Sequence, residues 1–156
     1  MIFKKTLTRD QALQKAKHFC RYQQRSHSEV KKKLYSLALK KKDVEELMAQ
    51  LIEEKYLDEE SFAIAFARGK FRIKQWGKVK IKYELRQKKV SDYCISKSLI
   101  GIDEIDYTRT LEKLASEKLE SLKSEKNIFV RNRKLQDYLL QKGYENELVK
   151  KIIFPA

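Results

Sequence analysis

Residues 68–89 read Arg-Gly-Lys-Phe-Arg-Ile-Lys-Gln-Trp-Gly-Lys-Val-Lys-Ile-Lys-Tyr-Glu-Leu-Arg-Gln-Lys-Lys, with ten basic residues against one acid, Glu84. The stretch carries +9 of the chain's +14. A solvated charge tail lacks regularly placed apolar residues, whereas this segment has Phe71, Ile73, Val79, Ile81 and Leu85. It is structured. A helix starting near Gly77 puts Lys78, Lys82, Arg86 and Lys89 on one stripe, where like charges repel until an anion lies alongside. Phe71, Trp76 and Tyr83 are threaded through the run, and cations interleaved with flat rings favour a nucleic-acid surface over a merely solvated face. The apolar pattern is two-sided, with Ile81 and Leu85 flanking the stripe on one side and Val79 and Tyr83 on the other. Either the helix is gripped from both sides or one pair is exposed.

Outward from this stretch, the composition is that of a helical protein. Among 156 residues there are four glycines and one proline, Pro155, so almost nothing breaks a helix. Charged residues at 37% exceed what a compact sphere holds easily and suit thin packed helices. On the amino-terminal side, after a leader Met1–Leu7, Thr8 with Gln11 and Ser26 with Glu29 read as capping boxes. Leu13, Ala16, Phe19 and Cys20 form the buried stripe of the first helix, which ends near Gln24. Val30, Leu34 and Leu37 follow in the second. Asp43 precedes the third, with Val44, Leu47, Met48, Leu51 and Ile52 inward. Asp58 caps a fourth, whose stripe is Phe62, Ala65, Phe66, Gly69 and Ile73, with Gly69 marking a kink or a close contact. Beyond the basic helix, Ser91, Asp103 and about Asn127 open three more, stopped by Gly101 in the first case and Gly143 in the last. A ninth carries Leu148, Val149, Ile152 and Ile153.

Three of these helices start alike. Glu29–Leu34, Lys80–Leu85 and Val130–Leu135 each begin a basic amphipathic helix, at a period of about fifty residues typical of helical arrays. The expected fold is all-α, one domain over residues 1–156 built of tandem three-helix repeats at 8–56, 57–102 and 103–154, stacked into an elongated, curved array.

Tyr56–Ala63 (YLDEESFA) followed by Gly77–Lys88 (GKVKIKYELRQK) resembles the central signature of the RecX family of bacterial RecA regulators. Arg25–Val30 with Leu34, and Arg133–Gly143, are similar to its first and third repeat motifs. The likeness covers nearly the whole chain. Lys41-Lys42 and Lys88-Lys89 fall where the family often has glycine after lysine, and Leu57-Asp58-Glu59 replaces Leu-Asp-Asp, which puts helix-end geometry in question. The resemblance implies a protein lying in the helical groove of the RecA–DNA filament that restrains RecA's ATPase, strand-exchange and coprotease activities in recombination and SOS repair. It implies a contact surface of Arg68, Arg72, Lys74, Trp76, Lys78, Lys82 and Arg86, with Arg25, Lys33, Arg131 and Lys134 as counterparts on the outer repeats. For Trp76 an interhelix plug competes with a base platform, because burial removes so much apolar area from water.

The rival reading is a stand-alone, non-sequence-specific DNA-binding module taking single- or double-stranded DNA. Catalysis has little support: the sequence lacks GxxxxGK[ST], HExxH and a Cys/His nucleophile pair, and Asp58-Glu59-Glu60 reads as helix capping rather than a Mg²⁺ site. Cys20 and Cys94 read as core filling in a reducing compartment, and His18 and His27 have no partners at zinc-ligand intervals. No metal or cofactor is expected. Without a signal-like or membrane-length apolar run, the expected setting is the cytoplasm, as a monomer.

Overall fold

Capping chemistry sets most of the helix starts. In the computed structural model, which describes residues 7–155, α1 (Arg9–Tyr22) opens with a complete capping box between Thr8 and Gln11. Ser26 likewise accepts from the Glu29 amide at the start of α2 (His27–Ser36), but the Glu29 carboxylate turns outward to Lys88 instead of closing the box. Helix α3 (Lys41–Glu53) begins before Asp43, which lies in its first turn, and has no side-chain cap. Asp58 caps α4 (Glu59–Gly69), and the Ser61 amide it accepts holds its carboxyl below the usual carboxylate range. Then come α5 (Lys78–Gln87), α6 (Asp92–Ile100), α7 (Glu104–Ser121), α8 (Ile128–Gln141) and α9 (Asn146–Ile153). Ser91, Asp103 and Asn127 cap α6, α7 and α8 through their side chains. The protein is an all-α helical repeat, with no strand among the described residues.

The three similar segments begin α2, α5 and α8, with N-caps Ser26, Gly77 and Asn127, and bury Leu34, Leu85 and Leu135. The core, however, is divided in two. Helices α1–α3 close around Ala12, Leu13, Ala16, Val30, Leu34, Val44, Leu47, Leu51 and Leu57, while α4–α9 share one continuous cluster. Polar contacts cross the seam between them: the Ser28 hydroxyl donates to the Lys88 carbonyl (2.7 Å) and Lys88 Nζ to Glu29 (2.8 Å). Cys94 is buried and Cys20 half-buried, both as free thiols, and burial pushes the Cys20 thiol up.

Helix α4 departs from its expected stripe. It passes into a single π turn, Lys70–Lys74, and the residues turned inward are Phe62, Ala63, Ala67 and Phe71. Ala65 is exposed, and Ile73 is 80% exposed. A wider turn adds a residue to the helix and rotates everything after it, so Ile73 leaves the face that a regular α-helix would give it. Gly69 itself has no neighbour that a methyl group would meet, so its place marks the switch of helix type rather than a tight contact.

The lysines standing where glycine might end a helix behave differently from one another. Lys89, after α5, adopts a left-handed φ of 60°, as does Ala38 (62°) after α2, whereas Lys41 and Lys42 are ordinary first-turn residues of α3. A side chain in that region costs roughly 1–2 kcal/mol, most of which glycine avoids. Lys89→Gly is therefore expected to stabilise the protein by about 1 kcal/mol and raise Tm by about 2–4 °C; an unchanged or lower Tm in a thermal melt would contradict this.

Candidate functional site

The basic stretch is held at its centre by a lock between distant parts of the chain. After the π turn, Gln75 adopts a left-handed conformation (φ 58°) and Trp76 leads into Gly77, the N-cap of α5. The α5 start then docks on the turn between α8 and α9. The Gly77 amide donates to the Lys142 carbonyl (2.8 Å), the Val79 amide to that of Gly143 (2.9 Å), and the Tyr144 hydroxyl to that of Gln75 (2.9 Å). Thus amides that a helix N-terminus leaves without internal partners find them here. The approach is so close that a Cβ on Gly77 would lie 2.3 Å from the Gly143 carbonyl, and one on Gly143 (φ 99°) would lie 2.2 Å from Lys80 Cβ. Only glycine fits at either position.

Tyr107 forms the second part of the lock. Its hydroxyl donates to the Glu145 carboxylate and accepts from the Lys78 amide (2.9 Å), and its ring packs between Tyr144 and Phe71. Burial, reinforced by the Glu145 carboxylate, raises the Tyr107 hydroxyl far above its ordinary value; burial raises Tyr144 likewise. The folded protein therefore keeps these protons where the unfolded chain loses them. This contribution is whole below about pH 10 and is lost as pH rises above it. Tyr107→Phe is expected to destabilise at neutral pH by about 1–2 kcal/mol and to flatten the alkaline loss by at most about 1.4 kcal/mol per pH unit. Urea midpoints of both proteins across that range check it; parallel profiles would refute it.

The lock sorts the basic residues into those already engaged and those free to engage. Lys78 is engaged: its Nζ pairs with Glu104 (2.7 Å) and sits 4.6 Å from the centre of the Tyr107 ring. Trp76 is half-buried on the shared core, edge-on to Phe66 at 6.5 Å, with Lys70 and Lys80 over its ring, which is the geometry of a plug between helices. Phe71 is core. Arg68 and Arg72 share a small recess of about 110 Å³ with Asp103 and Asp106. Lys89 lies beyond the end of α5, so it does not extend the helical stripe.

What remains on the outer face of α5 is Val79 (52% exposed), Lys82, Tyr83 (60% exposed) and Arg86, spaced three, one and three apart and so on one side. Ile81 and Leu85 are the pair that packs inward. Exposed Arg72, Ile73 and Lys74 precede this face in the chain, and among the described residues its only ion pair is Arg86 with Asp92 (3.6 Å). A ring and two aliphatic side chains among cations can contact bases or a protein while the cations meet phosphate or carboxylate.

The outer counterparts are unequal. Arg25 lies over Phe19 (3.8 Å to the ring centre), donates to the Phe19 carbonyl and reaches Glu29; Lys33 lies over the same ring. Lys134 is exposed and pairs with Glu125, while Arg131 holds the place that Val30 and Ile81 take in the other segments, with its Nε buried and unpartnered. Sequence reasoning overlooked the polar link between Tyr107 and Glu145. Two of the three carboxylates of the 58–60 run are used at helix starts, Asp58 on Ser61 and Glu59 on the Ser91 amide.

Two descriptions of known three-helix domains fit this architecture: the second three-helix domain of RecX matches residues 58–99 and the third matches residues 104–153. A regulatory protein RecX of Pelodictyon phaeoclathratiforme is 34% identical over 123 residues, covering 78% of this chain and 74% of that protein. This chain belongs to the RecX family. The RecX of Prosthecochloris aestuarii is 28% identical, with 91% of each chain covered. That of Oceanobacillus iheyensis is 29% identical over 87% of this chain but only 50% of its own length, and the chain spans about half the length of several curated relatives it matches. The crystal structure of RecX from Lactobacillus salivarius superposes with a TM-score of 0.83 at 25% identity, covering 93% of this chain and 94% of that one. Among the described residues no helix is long and apolar enough to cross a membrane.

Proposed function

We propose that this member of the RecX family is a regulator that binds the RecA–DNA filament and chiefly inhibits RecA's ATPase, strand-exchange and coprotease activities in recombination and SOS repair. Family membership supports a regulatory role, and the observation that carries the binding mode is the outer face of α5, where Lys82, Tyr83, Arg86 and Val79 stand exposed on a helix anchored at its start. An array of three-helix units at 8–56, 57–102 and 103–154 would present α2, α5 and α8 to successive parts of one filament. On this reading the protein acts as a cytoplasmic monomer without cofactor or catalysis of its own. It binds through Arg72, Lys74, Lys82 and Arg86, with Arg25, Lys33, Arg131 and Lys134 contributing from the outer units; Arg68, Trp76 and Lys78 shape the surface more than they touch the partner.

The net charge of +14 also favours a second reading, a DNA-binding module that acts without RecA. RecA-catalysed ATP hydrolysis on single-stranded DNA separates the two. Strong inhibition at amounts too low to coat the DNA is expected for a filament regulator. Unchanged hydrolysis alongside tight DNA binding would hand the case to the module.

A further inference from the structure

We infer that the outer face of α1, with α2 behind it, is a second nucleic-acid site, one that takes an unpaired base of a single strand against Tyr22. The two sides of α1 are used differently. Lys17 pairs with Glu54, and Arg21 donates to the Tyr56 hydroxyl, so that side holds α1 to the end of α3 and the loop beyond. Lys15, His18, Phe19 and Tyr22, spaced three, one and three apart, form the other side. With Gln14, Arg25 and Lys33 they line an open recess of about 430 Å³, within the range of small-ligand sites.

Three observations point to a single strand as the occupant. The lining carries three cations, Lys15, Arg25 and Lys33, and no carboxylate, although Arg25 also reaches Glu29 at 3.9 Å; among the described residues Lys15 and Lys33 have no ion pair. Phe19, the floor, is already covered by Arg25 at 3.8 Å, so its face is taken. Tyr22 at the helix end is 78% exposed, its ring centre 6.0 Å from the Arg25 guanidinium, a flat surface beside a fixed cation. Cations for phosphate around one open aromatic platform suit a strand whose bases are unstacked, whereas duplex bases are already stacked on each other. An acidic peptide would satisfy the cations and leave the ring unexplained.

The inference rests on the DNA-associated reading above and shares Arg25 and Lys33 with its outer-unit surface, but Tyr22 and Lys15 belong to this site alone and lie far from α5 in sequence, so the two fail separately. Anisotropy of a labelled oligo-dT titrated with the full chain is the test. Tyr22→Ala, at an exposed position, is expected to weaken binding about tenfold, Tyr22→Phe to restore it, and Lys15→Ala/Lys33→Ala to lower its salt dependence by about two phosphate equivalents. Duplex DNA and an oligomer with abasic sugars should show no Tyr22 effect. The site is overturned if Tyr22→Ala binds oligo-dT like the wild type, if the loss is equal for the abasic strand, or if poly-glutamate competes equally well with both proteins and no base dependence appears. Loss of oligo-dT binding on reversing Lys82 and Arg86 while Tyr22→Ala has no effect would retain the α5 surface and remove this one.

Discussion

Gly77→Ala is expected to cost about 3–5 kcal/mol, a large part of the roughly 5–15 kcal/mol that holds a domain of this size together. The added methyl would occupy the position of the Gly143 carbonyl, 2.3 Å from both its carbon and its oxygen, and its neighbours there are backbone atoms that cannot rotate away. Overpacking of this kind costs roughly 1–3 kcal/mol. Separation of the two segments also breaks the hydrogen bonds from Gly77 to Lys142 and from Val79 to Gly143, at about 1 kcal/mol each. Gly143→Ala should cost at least as much, since φ is 99° there and the new methyl meets Lys80. Because each change opens the same contact, the double variant should fall short of the sum of the two. Gly69→Ala is the control, a helical position with open space, where a gain of about 0.5–1 kcal/mol is expected. Urea unfolding followed by the fluorescence of Trp76, which sits beside Gly77 on the shared core, reads all four proteins. If Gly77→Ala unfolds at the wild-type midpoint, the lock does not hold α5.

That lock also marks the limit of what the sequence discloses. The caps Thr8, Ser26, Asp58, Ser91, Asp103 and Asn127 are legible because a cap and its amide lie within three residues of each other. The three leucine-anchored helix starts are legible for the same reason, as each is a local pattern repeated. Gly77 looks like a helix start from sequence alone; that it must be glycine depends on Gly143, which no local rule connects to it. The π turn is equally hidden, since Phe71 and Ile73 both fit an inward position until the extra residue decides between them. Spacing puts Lys78 on the cationic stripe, but its Nζ goes to Glu104, presented by a helix that follows later in the chain. The division of the core into α1–α3 and α4–α9 was not legible either, because a repeat in sequence carries no information about which neighbouring units fuse.

On the proposed reading, reversing charge on the open face of α5 should remove the inhibition of RecA without unfolding the protein, provided that the right residues are chosen. A stripe read from spacing suggests Lys78→Glu/Lys82→Glu/Arg86→Glu, but Lys78→Glu would set a carboxylate against Glu104 and break the lock beside Tyr107, confusing lost binding with lost structure. Lys74→Glu/Lys82→Glu/Arg86→Glu avoids this: all three side chains are exposed, and the one ion pair given up, Arg86 with Asp92, is a surface pair of little weight. Three reversals of two units each take the net charge from +14 to +8, which remains basic enough for non-specific attraction to persist. Each lost charge-assisted contact is worth about 1–1.5 kcal/mol at such positions, so the triple variant should need at least about 100-fold more protein to halve RecA's ATP hydrolysis. If the contacts are to phosphate, the slope of DNA affinity against salt should also drop by about three; if they are to RecA carboxylates, that slope on free DNA should stay as it was. Either result locates the site and says what it meets. Full inhibition by a triple variant with wild-type helicity and Tm would exclude this face and turn attention to α2 and α8.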